Sequence, residues 1–545
     1  MDNVRLFLWL TLAAMLWLGY TAWLTDYPAP AAVPAAVSDG NTPPTDRSPP
    51  PQLDPTDTPP VSATARPSGE LVRVRTDVLD VLIDSQGGDL VRADLLQYPI
   101  DKRSPDQLVR LLNNSADNLW VFQTGLRSAV GGTEPNHLAT FRSASNDYAL
   151  AAGQDELVVT LDWVGDGTLS ARKTYTFRRG QYGVNLALSV QPAAGGSWRG
   201  APYVQMTRVH HPVARSYFSV DSYSFTGPVL YNGDQYKKLD VEDLAQTPIT
   251  QTLPGGWFAA IQHHFLAAAV PPMGDDFRYD ASMRGQEFLL SAIGPIADVT
   301  AAEPLSYSFT LFVGPKVQDQ LKAIGEELDL TVDYGVLTVL AQPLFWLLSK
   351  IEIWVNNWGW AIVICTMLIK LAFYKLTATS GRSMAKMRRL APRMKALQER
   401  YKDDRQALSQ AMMELYKREK VNPAAGCLPI LIQMPFFFSF YWVLVESVEM
   451  RQAPFMMWIN DLSARDPYFV LPLLMGVAMF FQTRMSPAPP DPMQARVMQI
   501  MPVVFTGMFL FFPAGLVLYW LTNTALSILQ QWRINKVVER ESAPT

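Results

Sequence analysis

Cysteine is nearly absent: the 545-residue chain holds only Cys365 and Cys427, and both lie inside long apolar runs. The polar part of the chain has none, which excludes a disulfide scaffold and a cysteine zinc site. Histidine is scarce too, limited to His137, His210, His211, His263 and His264, all outside the apolar runs. Adjacent histidines in a strand point to opposite faces, which is poor metal-ligand geometry. There is no H-E-x-x-H, no G-x-S-x-G and no Walker A loop. The expectation is a protein that is not an enzyme, with no catalytic residue, no metal, no cofactor and no energy source of its own. A net charge of -4 leaves no global field that argues for nucleic acid.

The average hides strong segregation. Leu6 to Leu24 is an uncharged apolar run of 19 residues, close to the roughly 20 that a membrane span needs. It is long for a signal-peptide core and is not closed cleanly by a cleavage site, so it reads as an uncleaved anchor. From Pro28 to Pro67 the chain is rich in Pro, Ala, Ser and Thr and lacks the apolar content to bury a core, which reads as a disordered linker. Between about Glu70 and Pro315 the pattern is β. In Leu305 to Val313, the residues Leu305, Tyr307, Phe309, Leu311 and Val313 share one face, and Ser306, Ser308 and Thr310 the other. LVVTLDW, RKTYTFRR and VNLALSV are further strands, set off by turns such as Asp166-Gly167 and Arg179-Gly180. A large antiparallel sandwich fits.

After Lys316 the period becomes helical. Leu321, Ile324 and Leu328 recur at helical spacing, and the apolar run Val336 to Leu348, interrupted by Gln342 and Pro343, is too short to span and suits the membrane interface. Five spans follow, near Trp358–Tyr374, Cys427–Val445, Tyr468–Met485, Val497–Phe512 and Ala514–Leu529. Several are short for a bilayer core of about 30 Å, so local thinning or water entry is expected. The segment after the first of these five carries thirteen Lys and Arg from Lys375 to Lys420, whereas the loop before Tyr468 carries only Arg451 and Arg465. The positive-inside rule places the basic segment in the cytoplasm and, counting back, the β-region outside and the N-terminus inside. Met387, Leu390, Met394, Leu397 and Tyr401 step by three and four, and Leu408, Met412 and Leu415 repeat the step after Asp403-Asp404. That is the seam of an antiparallel helical hairpin, stopped by Asn422-Pro423, with a kink expected at Pro392. Its exposed cations, Arg382, Lys386, Arg388, Arg389 and Arg393 among them, suit anionic lipid or ribosomal RNA.

Lys370 stands about twelve residues into the first of the five spans, roughly 18 Å of helix. An ionisable residue there either faces a polar cavity or snorkels to the headgroups. Thr366 shares its helical face. Gln433, Gln499, Thr506, Thr522, Asn523, Thr524 and Ser527 lie in the later spans. Such groups act as interhelical glue or, together with Lys370, line a hydrophilic groove.

The stretches SMAKMRRLAPRMKALQERYKDD, MMELYKREKVNPAAGCLPILIQMPFFF, VESVEMRQAPFMMWINDLSARDPYFVLPLLMG and MPVVFTGMFLFFPAGLVLYW, in that order, resemble the YidC/Oxa/Alb family of membrane-protein insertases in its Gram-negative form. The resemblance runs from about Gly335 to Trp532. It implies a positively charged groove open to cytosol and lipid, with Lys370 where the family usually has arginine and Lys375 where it has a proline. Thr366 and Trp520 match groove and substrate-contact positions, and Met434, Pro435, Phe436, Val504, Met508 and Phe512 match an apolar substrate path. The tail after Trp532 is short beside the long basic tail of some relatives.

The expected fold class is thus a membrane α-helical bundle, one anchor plus a five-span core, with a large all-β extracytoplasmic sandwich. The expected divisions are an anchor (1–27), a linker (28–69), a periplasmic β-domain (70–315), an interfacial helical segment (316–357), the second span (358–376), the hairpin (377–424), spans three to six (425–532) and a tail (533–545). The function the resemblance implies is insertion of nascent membrane proteins into the bacterial inner membrane, both termini cytoplasmic. The groove would comprise Lys370, Thr366, Gln433, Trp520 and Asn523. The resemblance further implies the Sec translocon with its accessory subunits and, transiently, the ribosome as partners, beside the bilayer itself and without a small-molecule substrate. Two other classes stay open: a solute transporter or channel, and a membrane-tethered carbohydrate-active protein.

Overall fold

The computed structural model describes residues 69–132, 134–165, 167–212, 224–401, 404–419, 421, 428–485 and 492–540. The anchor Leu6–Leu24, the linker, the Asn422-Pro423 stop, Cys427 and residues 541–545 lie outside these, and the Asp166-Gly167 and Asp403-Asp404 turns lie partly outside. The chain forms two compact units, one taking in residues up to Asp333 with Glu446–Val448, the other Tyr334–Val445 and the residues from Glu449 onward.

The first unit is built on the alternating strands. Glu156–Trp163, Leu169–Arg178, Gly183–Pro192 and Leu305–Pro315 are successive neighbours in a nine-stranded antiparallel sheet. A six-stranded antiparallel sheet faces it, joined where Phe277 meets Phe309 edge-on at 5.9 Å. A five-stranded sheet completes the unit and includes one parallel pair, Leu71–Arg75 beside Asp147–Ala149. The turn at Arg179-Gly180 uses glycine at φ +69°, a conformation that costs other residues more. Alternation holds along Leu305–Pro315 as far as Leu311 and then fails, since Phe312, Val313, Gly314 and Pro315 are all buried. The second face is covered there by Tyr182 against Phe312, and Tyr98 packs edge-on against both Tyr182 and Phe265.

A charged cluster sits inside this unit. Lys173 is buried and donates to Asp89 (3.2 Å), to the carbonyls of Gly87 (2.6 Å) and Thr124 (2.7 Å), and to the Thr124 hydroxyl (2.6 Å). Burial pushes the lysine pKa down, and the Asp89 carboxylate pulls it back up. Two short helices belong here, α1 (Val241–Gln246) and α2 (Gln318–Ile324). The helical period read through Leu328 is broken after α2 by Gly325 and by Glu327 at φ +54°, so Leu328 lies on a separate 3-10 turn. The unit boundary accordingly falls at Asp333, beyond the expected Pro315.

The second unit is helical: α3 (Thr338–Val355), α4 (Trp358–Ala372), α5 (Tyr374–Arg400), α6 (Arg405–Arg418), α7 (Leu428–Glu446), α8 (Val470–Met485), α9 (Pro492–Phe509) and α10 (Ala514–Arg540). α3 runs through Pro343 and past Leu348. The stretch Gly335–Val355 has the length and composition of a span and is longer than the apolar run Val336 to Leu348 read from the sequence. The apolar count stopped at Leu348, but Lys350 and Glu352 are good helix formers and carry the helix on. Asn357 caps α4, its side chain accepting from Trp360 N–H. α4 and α5 are separated by Phe373 alone and bend by 70° there, with no proline present. The Phe373 N–H still donates to Ile369 and its carbonyl still accepts from Thr377, so Phe373 itself keeps both backbone hydrogen bonds through the bend. α5 continues through Pro392 to Arg400.

α5 and α6 meet along the seam read from the sequence. Leu390, Met394, Met412 and Val421 are buried, with Met387, Leu397, Leu408, Leu415 and Tyr416 packed against them. Asp404 caps α6, accepting from Gln406 and Ala407 N–H. Met394→Ala is expected to cost this hairpin about 2–5 kcal/mol. The exposed Arg393–Glu419 pair, at 2.7 Å, is worth less than about 1 kcal/mol. Limited proteolysis of the hairpin checks both: the first variant should be cut far faster than wild type, and Arg393→Ala nearly as slowly.

Candidate functional site

The sequence-expected groove residues come from three helices of the second unit. Lys370 lies two residues before the end of α4, and its side chain crosses to α10. The ammonium donates to Ser527 Oγ at 2.7 Å, and Ser527 donates in turn to the Asn523 carbonyl at 2.8 Å. Lys370 is half-buried and Asn523 buried. Thr366, one turn earlier, is buried with its hydroxyl donating to Ile362 O of its own helix (2.7 Å). It shares the Lys370 face but offers its donor elsewhere. Farther along, Gln530 donates to the Thr377 hydroxyl at 2.8 Å. Asn523, Ser527 and Gln530 step by four and three, so α10 presents one polar row to α4 and the start of α5.

The other expected groove residues lie on the apolar side. Trp520 packs edge-on against Phe437 (4.8 Å), stacks with Phe505 (6.3 Å) and meets Phe509 at a tilt (5.5 Å). Gln433 interacts with the Tyr519 hydroxyl, one residue from Trp520. Neither Trp520 nor Gln433 has a described polar contact with Lys370. The site thus divides into a polar contact, Lys370 with Ser527 and Asn523, and an aromatic contact among α7, α9 and α10.

Of the expected apolar path, Met434, Pro435 and Phe436 are half-buried on α7, and Phe436 packs edge-on against Phe373 at the α4–α5 bend (5.4 Å). Val504 and Met508 are exposed on α9, next to exposed Ile500, Val503 and Phe511. Phe512 meets Tyr441 at 5.9 Å, and Phe437 meets Phe509 at 6.4 Å, so aromatic edges join the two halves. Phe437, Phe505 and Phe509 were passed over in the sequence because apolar residues in an apolar run carry no distinguishing signal. Ser527 was visible as a polar residue in a span but not as the partner of Lys370.

Close approaches fix the helices around the site. A side chain at Gly515 would meet Leu444 and the Leu462 carbonyl, and one at Gly476 would collide with Thr506 Oγ1. The last turns of α10 pack on α5 through Ile534, Val538 and Ala385, so α10 continues as helix beyond Trp532, where a tail was expected. The hairpin residues Arg382, Lys386, Arg388, Arg389 and Arg393 are carried on α5. Among the described residues no group of three or more His, Cys, Asp or Glu is placed to hold a metal ion.

A family model described as "60Kd inner membrane protein" matches residues 350–541, and one described as "YidC periplasmic domain" matches residues 71–347. The protein called "Membrane protein insertase YidC" of Thioalkalivibrio sulfidiphilus (strain HL-EbGR7) is 47% identical over 557 residues, spanning 99% of each chain. Its namesake in Nitrosococcus oceani is 44% identical over 552 residues, spanning 99% of this chain and all of the relative. A solved structure described as an active YidC insertase with its first transmembrane domain resolved is similar with a TM-score of 0.39 and 20% identity, over 85% of this chain and 92% of that one.

Proposed function

The chain belongs to the YidC family of membrane protein insertases, and from that premise we propose that it takes nascent membrane proteins from the cytosol and releases them into the inner membrane. The observation that carries the site assignment is the direction of Lys370. Its ammonium lies on Ser527 of α10 instead of reaching past the end of its own helix toward the cytoplasmic headgroups. A polar contact at this depth provides the wet end of a groove. The exposed apolar face of α9 with Met434, Pro435 and Phe436 of α7 provides the dry end.

The physical task is to shorten the hydrocarbon crossing. Each unsatisfied backbone group in lipid costs several kcal/mol. At 16 residues, α8 spans about 24 Å against a core of about 30 Å, so thinning around it lowers that cost. Lys370 attracts acidic residues of the translocated segment. The membrane potential adds roughly 2.3 kcal/mol per charge per 100 mV, with the sign that drives those residues outward. The apolar segment then moves along α7 and α9 into lipid. The basic hairpin faces the cytosol in this scheme and the β-unit the periplasm, with both chain termini cytoplasmic. In this scheme it works alone or with the Sec translocon, and the translating ribosome meets it transiently. No cofactor and no bond-making chemistry enter the scheme.

A photo-crosslinker at Met434 or Met508, tested against a stalled single-span nascent chain, checks this route. Both positions should capture the nascent segment, and the exposed Leu473 of α8 should not. Equal capture at all three positions, or capture at Leu473 alone, removes the α7–α9 route.

A further inference from the structure

We infer that Ser527 is the positioning residue for the groove cation, and that its neutral hydroxyl sets the preference for acidic translocated segments. The inference rests on the reading of Lys370 given above. A lysine carries a compact charge on a flexible four-carbon stem, with none of the planar fork that fixes a guanidinium. Left alone in a span, such a stem turns its tip toward the nearest water. Here the tip is held. Ser527 gives its one hydrogen to the Asn523 carbonyl at 2.8 Å, which leaves its lone pairs facing α4, and Lys370 donates into them at 2.7 Å. Among the described residues no carboxylate pairs with Lys370. The holder is therefore neutral. It fixes the ammonium in place without cancelling its charge and leaves two of the three N–H donors for an incoming carboxylate.

An acidic residue at position 527 would hold the lysine equally well and abolish its attraction for substrate. An apolar residue would release it. Arginine in place of Lys370 would position its own fork and have less need of the serine.

The test is an in vivo insertion assay in cells depleted of their own insertase, using matched single-span substrates with or without acidic residues in the translocated segment. The quantity read is the ratio of acidic to neutral insertion at equal protein level. Ser527→Ala should reduce that ratio several-fold and by no more than Lys370→Ala does, within the scale of one hydrogen bond to a charged group, and Ser527→Thr should restore it. In a Lys370→Arg background, Ser527→Ala should leave the ratio where Lys370→Arg alone puts it. If Ser527→Ala fails to accumulate, Ser527→Cys, nearly isosteric and a weak acceptor, should reduce the ratio in its place. An unchanged ratio in Ser527→Ala, or an equal fall with and without Lys370→Arg, overturns the inference. Lys370→Ala, run alongside, separates the two claims. If it loses the ratio while Ser527→Ala keeps it, only the role of Ser527 fails. If Lys370→Ala keeps the ratio, the role of Lys370 fails, and that of Ser527 with it.

Discussion

Lys370→Glu should reduce insertion of substrates with acidic translocated segments by tenfold or more, and Lys370→Ala should reduce it by less. Two unit charges about 4 Å apart interact by about 4 kcal/mol at an effective dielectric near 20. Replacing attraction by repulsion therefore moves the encounter by more than the 1.4 kcal/mol that corresponds to tenfold. Lys370→Arg keeps the charge and should keep insertion. Substrates without acidic residues should respond weakly to all three changes, since the charge then has nothing to attract. The measurement is membrane insertion across a graded substrate set at matched protein levels. Equal insertion by wild type and Lys370→Ala across that set would exclude an attractive charge at this position.

The second large effect concerns stability and lies in the β-unit. Lys173→Met removes the buried cation from beside Asp89, which keeps the Thr124 backbone N–H (3.0 Å) among its donors, and strips the donor from the Gly87 and Thr124 carbonyls. Removing one partner of a buried pair costs about 3–5 kcal/mol, on the order of 10 °C in melting temperature for a domain of this size. Lys173→Met with Asp89→Leu should recover part of that loss, because no charge is then stranded. Thermal unfolding of the full chain in detergent, followed by the intrinsic fluorescence of its tryptophans, reports both variants. A shift under about 2 °C in the single variant would show that water reaches Asp89 and that the cluster contributes little.

The sequence read most clearly where a period repeated over many residues. The strand patterns at Glu156–Trp163 and from Leu305 to Leu311 and the hairpin seam from Met387 to Leu415 each impose one periodicity on their segment, and each folds accordingly. It read less well where a second neighbour changed the rule. Phe312 is buried because Tyr182 covers the outer face of its strand, a contact that spacing within the strand cannot reveal. The 70° bend at Phe373 has neither proline nor glycine to announce it. Within the site, Lys370 stood out because a charge in an apolar helix is rare. Ser527 did not, because a hydroxyl in such a helix usually bonds back to its own backbone, and Ser527 does that as well as accepting the lysine. The aromatic contact of Phe437 with Trp520 depends on helices brought together from distant parts of the chain.

The contact at Gly476 has a mechanical consequence. With no room for even one methyl group between Gly476 of α8 and Thr506 of α9, any larger residue at 476 would have to push these two helices apart. The route proposed above leaves on the other side of α9, against α7, where the contacts include ring edges such as Phe437 on Phe509 and Tyr441 on Phe512. Each such ring-edge contact is worth about 0.5–1.5 kcal/mol.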